Sequence, residues 1–328
     1  MTDTTILFNA DVYSSVDPFA TAIIFAGSTV GWVGSDEAAQ AAEGDHRDLA
    51  GAFVTPGLVS AAVDLRPEAV RKAPSGRELL ARGVTAAHVI GTAEQLADYR
   101  AVAPPELAIT AYVLDGGGEA GSAAAIRVAD VDASALAAGA HFVLIDSAEE
   151  LGAVTGLLAD DEVRTHLQRF GWRLAVNTAI PDDAIEALAQ SGLGLTVDPL
   201  AFEQPLAQLL SAGAQVSFAL TAENPWESLR AAVYDATAGV SARAAFNAVT
   251  RFGYRALGRF EGGVLAPGAA ATACVWEVED LLVQAADARV AAWSTDPRSG
   301  TPGLPDLSAD ATLPRLREVW VEGTQLSR

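Results

Sequence analysis

The sequence predicts an α/β fold whose middle is a TIM-like (β/α) barrel and whose two ends are β-rich. Three observations carry that prediction. Short apolar runs alternate with Ala-rich, helix-forming stretches through the middle of the chain. The first part and the last part read instead as strands and turns. A chain of 328 residues that is 50% hydrophobic can also bury a large core.

At the start, Ile6 to Phe8, Ala22 to Ala26 and Val30 to Val33 are short apolar runs separated by Asp17-Pro18 and Gly27-Ser28. In the middle, the clear strand candidates are Leu58 to Val63, Val84 to Ile90, Leu107 to Leu114, His141 to Ile145, Arg173 to Val176, Leu193 to Val197 and Gln215 to Leu220. Between them lie helical candidates at Gly76 to Ala81, Ala93 to Tyr99, Ala148 to Leu158, Asp161 to Arg169, Asp183 to Gln190 and Leu206 to Ala212. Such alternation argues for a parallel sheet with helical crossovers. The middle holds roughly 200 residues against a typical barrel length of about 250. The barrel is therefore expected to be seven-stranded or incomplete, with Ile126 to Ala129 as the candidate eighth strand. Towards the end, Ala271 to Val278 and Glu318 to Glu322 read as strands around a Pro/Gly-rich loop.

Composition narrows the function classes. The net charge of −21 repels phosphate backbones and anionic lipids, so neither nucleic acid nor membrane is an expected partner. No window approaches the roughly 20 apolar residues of a membrane span, and MTDTTILFNA lacks a signal-peptide pattern, so a cytoplasmic protein is expected. Cys274 is the single cysteine, which excludes a disulfide framework and a cysteine zinc site. The histidines are His46, His88, His141 and His166, and Lys72 is the single lysine.

Three segments carry a family resemblance. NADVYSSVDPFATAIIFAGSTVGWVG, Asn9 to Gly34, resembles the opening of amidohydrolases. DLAGAFVTPGLVSAAVDL, Asp48 to Leu65, resembles the passage D-L-x-G-x-x-V-x-P-G-[FL]-[IV]-D-x-H-x-H, which becomes the first barrel strand in that family. SARAAFNAVTRFGYRALGRFEGGVLAPGAAATACVWEVEDLLV, Ser241 to Val283, resembles the last helix and the G-x-L-x-P-G-x-x-A-D return, and REVWVEGTQL resembles the closing strand. The chain thus resembles the amidohydrolase superfamily, with DPFATA and NPWESLRAAV closest in style to the long-chain subgroup, and it is shorter than members of that subgroup. The resemblance implies a small β-sandwich built from residues 1–56 and 263–328 around a barrel at 57–262.

It also implies a lineage that hydrolyses non-peptide C–N bonds in small molecules with zinc or another divalent metal. Family ligands come from the H-x-H of strand one, a lysine of strand four, histidines of strands five and six, and an aspartate of strand eight. In the register fixed by Pro56-Gly57-Leu58-Val59, the family aspartate falls on Ser60 and the histidines on Ala62 and Asp64. LAVNTAIPDDAIEAL resembles strand five, with Asn177 in the histidine position, and VSFALTAENPW resembles the last strand, with Thr221 conserving a hydroxyl and Ala222 replacing the catalytic aspartate. The strand bearing the second distal histidine is expected to be missing. Alanine ligates nothing and an amide ligates weakly.

Asp64, Asp115, Asp146, Asp198 and Glu223 all fall at or beyond strand ends. Carboxylates gathered there could hold Mg²⁺ or Ca²⁺, although aspartate also favours such turns for capping alone. A neighbouring residue on a strand faces the other way, which weighs against Glu223 as a substitute for Ala222. His88 and Trp226 complete the candidate pocket, with Trp226 read either as lining or as a cap, and Trp32 and Trp276 as core. Asp115 to Gly121 holds a G-x-G-x-x-G, but the following IRVADV makes a poor helix start, so a flexible loop is expected rather than a dinucleotide site. No G-x-S-x-G occurs.

Two functions follow. One is a pseudoenzyme that binds a small molecule or regulates, without a metal cofactor. The other is an active amidohydrolase with an atypical site of barrel-mouth carboxylates. Self-association into a homo-oligomer is open in both.

Overall fold

The computed structural model describes residues 4–114, 123–128, 141–234, 239–256, 259–284, 293–294 and 302–326. The first part contributes β1 (Thr4–Val12), β2 (Ala22–Ala26), β3 (Thr29–Gly34), the short helix α1 (Asp36–Ala39) and β4 (Asp45–Pro56). The middle strands are β5 (Leu58–Asp64), β6 (Val84–Gly91), β7 (Ala108–Leu114), β8 (Ala123–Arg127), β9 (His141–Ile145), β10 (Arg173–Val176), β11 (Gly194–Val197) and β12 (Gln215–Phe218). The last part adds β13 (Ala273–Glu277), β14 (Leu281–Gln284), β15 (Trp293–Ser294), β16 (Leu304–Pro305), β17 (Arg315–Val321) and β18 (Thr324–Gln325).

Helices described between the middle strands are α2 (Gly76–Ala81), α3 (Ala93–Val102), α4 (Ala148–Leu158), α5 (Asp161–Arg169), α6 (Asp182–Gln190) and α7 (Leu206–Ser211). Then follow α8 (Trp226–Val233), α9 (Ala242–Ala248) and α10 (Arg251–Arg255). Their starts are written in the sequence. Ser75 with Glu78 and Thr92 with Gln95 form reciprocal capping boxes at α2 and α3.

Among the described residues, β5 to β12 form one sheet of eight strands, each parallel to its neighbours and in chain order. The fourth is β8, three positions earlier than the expected Ile126 to Ala129. Its Ala-rich start has weak strand propensity, and pairing with β7 on one side and β9 on the other overrides that. The expected missing strand is therefore present, and Asn177 follows the sixth strand rather than the fifth.

The sheet curls back on itself. The Leu220 N–H donates to Ser60 Oγ of β5 at 3.0 Å, joining the segment after β12 to the first strand. Lower down, the Val59 N–H donates to the Val249 carbonyl at 2.7 Å, so the turn before α10 wedges into the same seam. Alternate residues point into the interior, where Ile90, Tyr112, Leu114, Ala125, Phe142, Leu144 and Ala175 pack as one cluster.

Strands near the two ends of the chain share a second sheet, in the order β18-β17-β13-β4-β1-β2-β3. Trp276 of β13 donates from Nε1 to Thr55 Oγ1 at 2.8 Å and meets Trp226 of α8 edge to face at 5.5 Å, which seats this sheet against the barrel helices. Among the described residues no helix is long and apolar enough to cross a membrane.

Candidate active site at the barrel mouth

Strand-to-helix turns at the C-terminal end of a parallel barrel bring side chains from separate strands to one mouth. Asp64 is the last residue of β5, Asp146 follows β9, and Asn177 follows β10. The structure brings these three together, and what they surround is Arg66.

The Arg66 side chain is only 2% exposed. Its Nε donates to both oxygens of Asp64 at 3.0 Å, and Nη2 donates to Asp64 Oδ2 at 2.7 Å. Nη1 donates to Asp146 Oδ2 at 2.7 Å and Nη2 to Asp146 Oδ1 at 3.0 Å. Asn177 Nδ2 adds a donor to Asp146 Oδ1 at 2.8 Å. One planar guanidinium thus clamps two carboxylates, the geometry for which arginine is suited. Burial pushes the Asp146 carboxyl up, but the bonds from Arg66 and Asn177 outweigh it and hold Asp146 below the usual carboxylate range. Glu68, bonded by Arg127 at 2.8 Å, lies 4.0 Å from Arg66 Nη1 and extends the alternation of charges.

The other candidate residues fall elsewhere. Asp198, just past β11, accepts from Thr221 Oγ1 at 2.8 Å and pairs with Arg71 at 3.3 Å, forming a separate cluster. Arg71 also donates to the Leu200 carbonyl, tying the loop after β5 to the loop after β11. Glu223 is exposed. Ala62 packs against the interior apolar cluster, and the Ala222 carbonyl accepts from Arg82 at 3.1 Å. Ser60 serves the barrel seam. Asp115 and the glycine-rich 115–121 stretch lie outside the described residues.

Trp226 and His88, both expected in the pocket, do not join the Arg66 cluster. Trp226 neither lines nor caps the mouth: it is buried among Phe53, Phe246 and Trp276, because it opens α8 on the face packed against the second sheet. His88 lies deep inside the barrel rather than with the Arg66 cluster. Arg173 Nη1 donates to His88 Nδ1 at 2.8 Å, and guanidinium has no acceptor, so the imidazole hydrogen sits on Nε2 and goes to the Gly253 carbonyl at 3.1 Å. Burial and then the Arg173 charge hold His88 neutral, well below its ordinary value. Among the described residues, no group of three or more His, Cys, Asp or Glu side chains stands together as a metal site.

Arg66 and Arg173 were not among the sequence candidates. An arginine two residues beyond a strand-terminal aspartate, in a mouth short of histidines, is the signal that points to Arg66. An arginine opening a strand gives no such signal, since that position ordinarily faces solvent.

No protein-family model matches the chain, and no curated protein does. Solved structures do match. A mutant atrazine chlorohydrolase from Arthrobacter aurescens, complexed with zinc and atraton, is 16% identical with a TM-score of 0.66, over 98% of this chain and 95% of that one. A triazine hydrolase variant is 17% identical with a TM-score of 0.68, over 98% and 94%. N-isopropylammelide isopropylaminohydrolase from Burkholderia multivorans is 14% identical with a TM-score of 0.64, over 99% and 98%. The chain has the fold of these hydrolases and of an amidohydrolase structure that also matches it.

Proposed function

We propose that this chain is an amidohydrolase-superfamily homologue that has lost metal-dependent catalysis and acts as a pseudoenzyme, through binding or regulation. The observation that supports this is the seat of Arg66. By the resemblance, the C-terminal ends of the first, fifth and sixth strands are where the family gathers metal ligands. Here those positions hold Asp64, Asp146 and Asn177, and they are spent on a guanidinium.

Bound in such a mouth, a divalent metal would lower the pKa of a water and polarise a carbonyl. The donor set present does not suit one. Zinc takes three or four His, Cys or carboxylate donors, and these two carboxylates already face the fixed charge of Arg66. A guanidinium has no open coordination position and no acceptor. It supplies the positive charge the carboxylates need and none of the reactivity. Ala222, where the family has its proton-shuttling aspartate, fits the same reading.

Titration calorimetry of the purified protein with Zn²⁺, Mn²⁺, Mg²⁺ and Ca²⁺ tests it, followed by assay against N-acyl amino acids, formamides and cyclic amides with Zn²⁺ or Mn²⁺ added. No stoichiometric metal and no turnover are expected. Stoichiometric metal with turnover would overturn the proposal in favour of an active hydrolase using barrel-mouth carboxylates.

A further inference from the structure

The chain has a net charge of −21, yet between Asp235 and Glu261 it places four arginines and no acid. Three of them, Arg243, Arg251 and Arg259, come to one surface. Arg243 lies beside the Tyr13 hydroxyl. Ser14 Oγ donates to the Leu265 carbonyl at 2.6 Å, and Gly263 approaches α10 so closely that an added Cβ would stand 2.7 Å from the Arg251 nitrogen. The loop after β1, the start of α9, the start of α10 and the turn at 259–263 are therefore neighbours. Phe260 projects from that turn at 72% exposure, and Val16 from the loop at 57%. Among the described residues none of these three arginines pairs with a carboxylate. Asp17 and Glu261 are the acids at the edge of the patch, and the arginines outnumber them.

Helices α6 and α7 present the opposite chemistry. Between them runs an open groove of about 560 Å³, with Ile185, Ala189 and Ala212 on its apolar part and Asp182 and Glu186 as its acids. No basic residue lines it. Glu186 accepts from Gln190 Nε2, a neutral amide, at 2.8 Å. Among the described residues neither Asp182 nor Glu186 pairs with a cation. An apolar trough edged by carboxylates is receptive to an aromatic ring beside an arginine, two residue types enriched where proteins meet.

Charge decides how two copies can meet. Patch on patch would set arginine against arginine, and groove on groove would set carboxylate against carboxylate, both unfavourable. We propose that Arg259 and Phe260 of one copy dock in the α6–α7 groove of a second copy, the ring on Ile185 and Ala189 and the guanidinium facing Asp182 and Glu186. The two faces differ, so the contact is head to tail and builds a ring or an open chain according to its rotation. Its ion pairs are formed by exposed side chains, so salt weakens it. It does not depend on what the barrel mouth binds.

Sedimentation velocity of the full chain over a concentration series, at low and high salt, tests the contact. Association that grows with concentration and falls with salt is expected. Arg259→Glu and Glu186→Arg should each weaken it at least about ten-fold. Both side chains are exposed, so neither reversal disturbs the core. Glu186→Arg keeps the patch and Arg259→Glu keeps the groove, so an equimolar mixture of the two should form a one-to-one pair that cannot grow. A wild-type chain that stays monomeric throughout, association unchanged in both variants, or a mixture that fails to pair would each overturn the proposal. A monomeric wild type that instead binds polyglutamate or anionic vesicles would give the patch to that partner and overturn it equally.

Discussion

Arg66 decides how Asp64 and Asp146 can coexist at 16% and 35% side-chain exposure, because each carboxylate finds its counter-charge on the same guanidinium. Arg66→Ala would leave both without it. Removing one partner of a buried pair costs 3–5 kcal/mol, and the partial exposure of Asp146 puts the expected loss at about 3 kcal/mol, read from urea unfolding at pH 7. The pH dependence follows from sign. The folded pKa of Asp146 lies below its ordinary 3.8, so the unfolded chain takes up the proton first as pH falls. This contribution is full above the ordinary value and is lost as pH drops through the lowered one. In Arg66→Ala that acid-sensitive portion should vanish; an unchanged acid profile would contradict the assignment. Asp64 was legible from both its strand end and the register of the resemblance, Asp146 from its strand end alone, and Asn177 from the register alone, which set it one strand too early. Arg66 carried only the signal of its place two residues beyond Asp64, since no metal-site pattern includes an arginine. His88 was expected in the candidate pocket, and its partners Arg173 and Gly253 come from segments 85 and 165 positions away, beyond what local pattern can pair.

At the scale of elements, α10 does more than end the barrel's helical series. It meets both β5 and β12, and its Gly253 lies so close to β5 that an added Cβ would stand 2.5 Å from Val59 Cγ1. Its carbonyl also takes the His88 hydrogen bond. Gly253→Ala should therefore force the seam apart at a cost of about 1–3 kcal/mol by overpacking, seen as a lower midpoint in thermal unfolding; a midpoint equal to wild type would show that the wedge yields. Most middle elements were readable from periodicity and caps, with Ala148–Leu158 and Asp161–Arg169 matching to the residue. β8 was misplaced because Ala123, Ala124 and Ala125 carry no strand signal of their own. Its strand character comes from the neighbours it pairs with.

For the whole molecule, Cys274 offers a readout of cooperativity. It sits in β13 at 0% exposure, between the second sheet and the barrel, and its Sγ donates to the Gly83 carbonyl at 3.2 Å. Burial pushes its thiol pKa up to about 12, so the native protein presents almost no thiolate at pH 8. A thiol reagent such as DTNB should react only through opening of the sheet–barrel contact, with a rate that follows global unfolding across a urea series. Rapid labelling in native buffer would mean that this contact opens alone.

The pairing of β4 with β13 also sets a timetable for biosynthesis. β4 gains β1 beside it early, but its other edge waits for Ala273 to meet Pro56, roughly 200 positions later in the chain. Closing so long a loop carries an entropic cost that grows only slowly with length. Delay is the larger burden: until the final strands leave the ribosome, a buried strand is an open edge able to recruit a foreign one. Every barrel strand emerges within that interval, so the barrel is assembled while the sheet that braces it is still half-built.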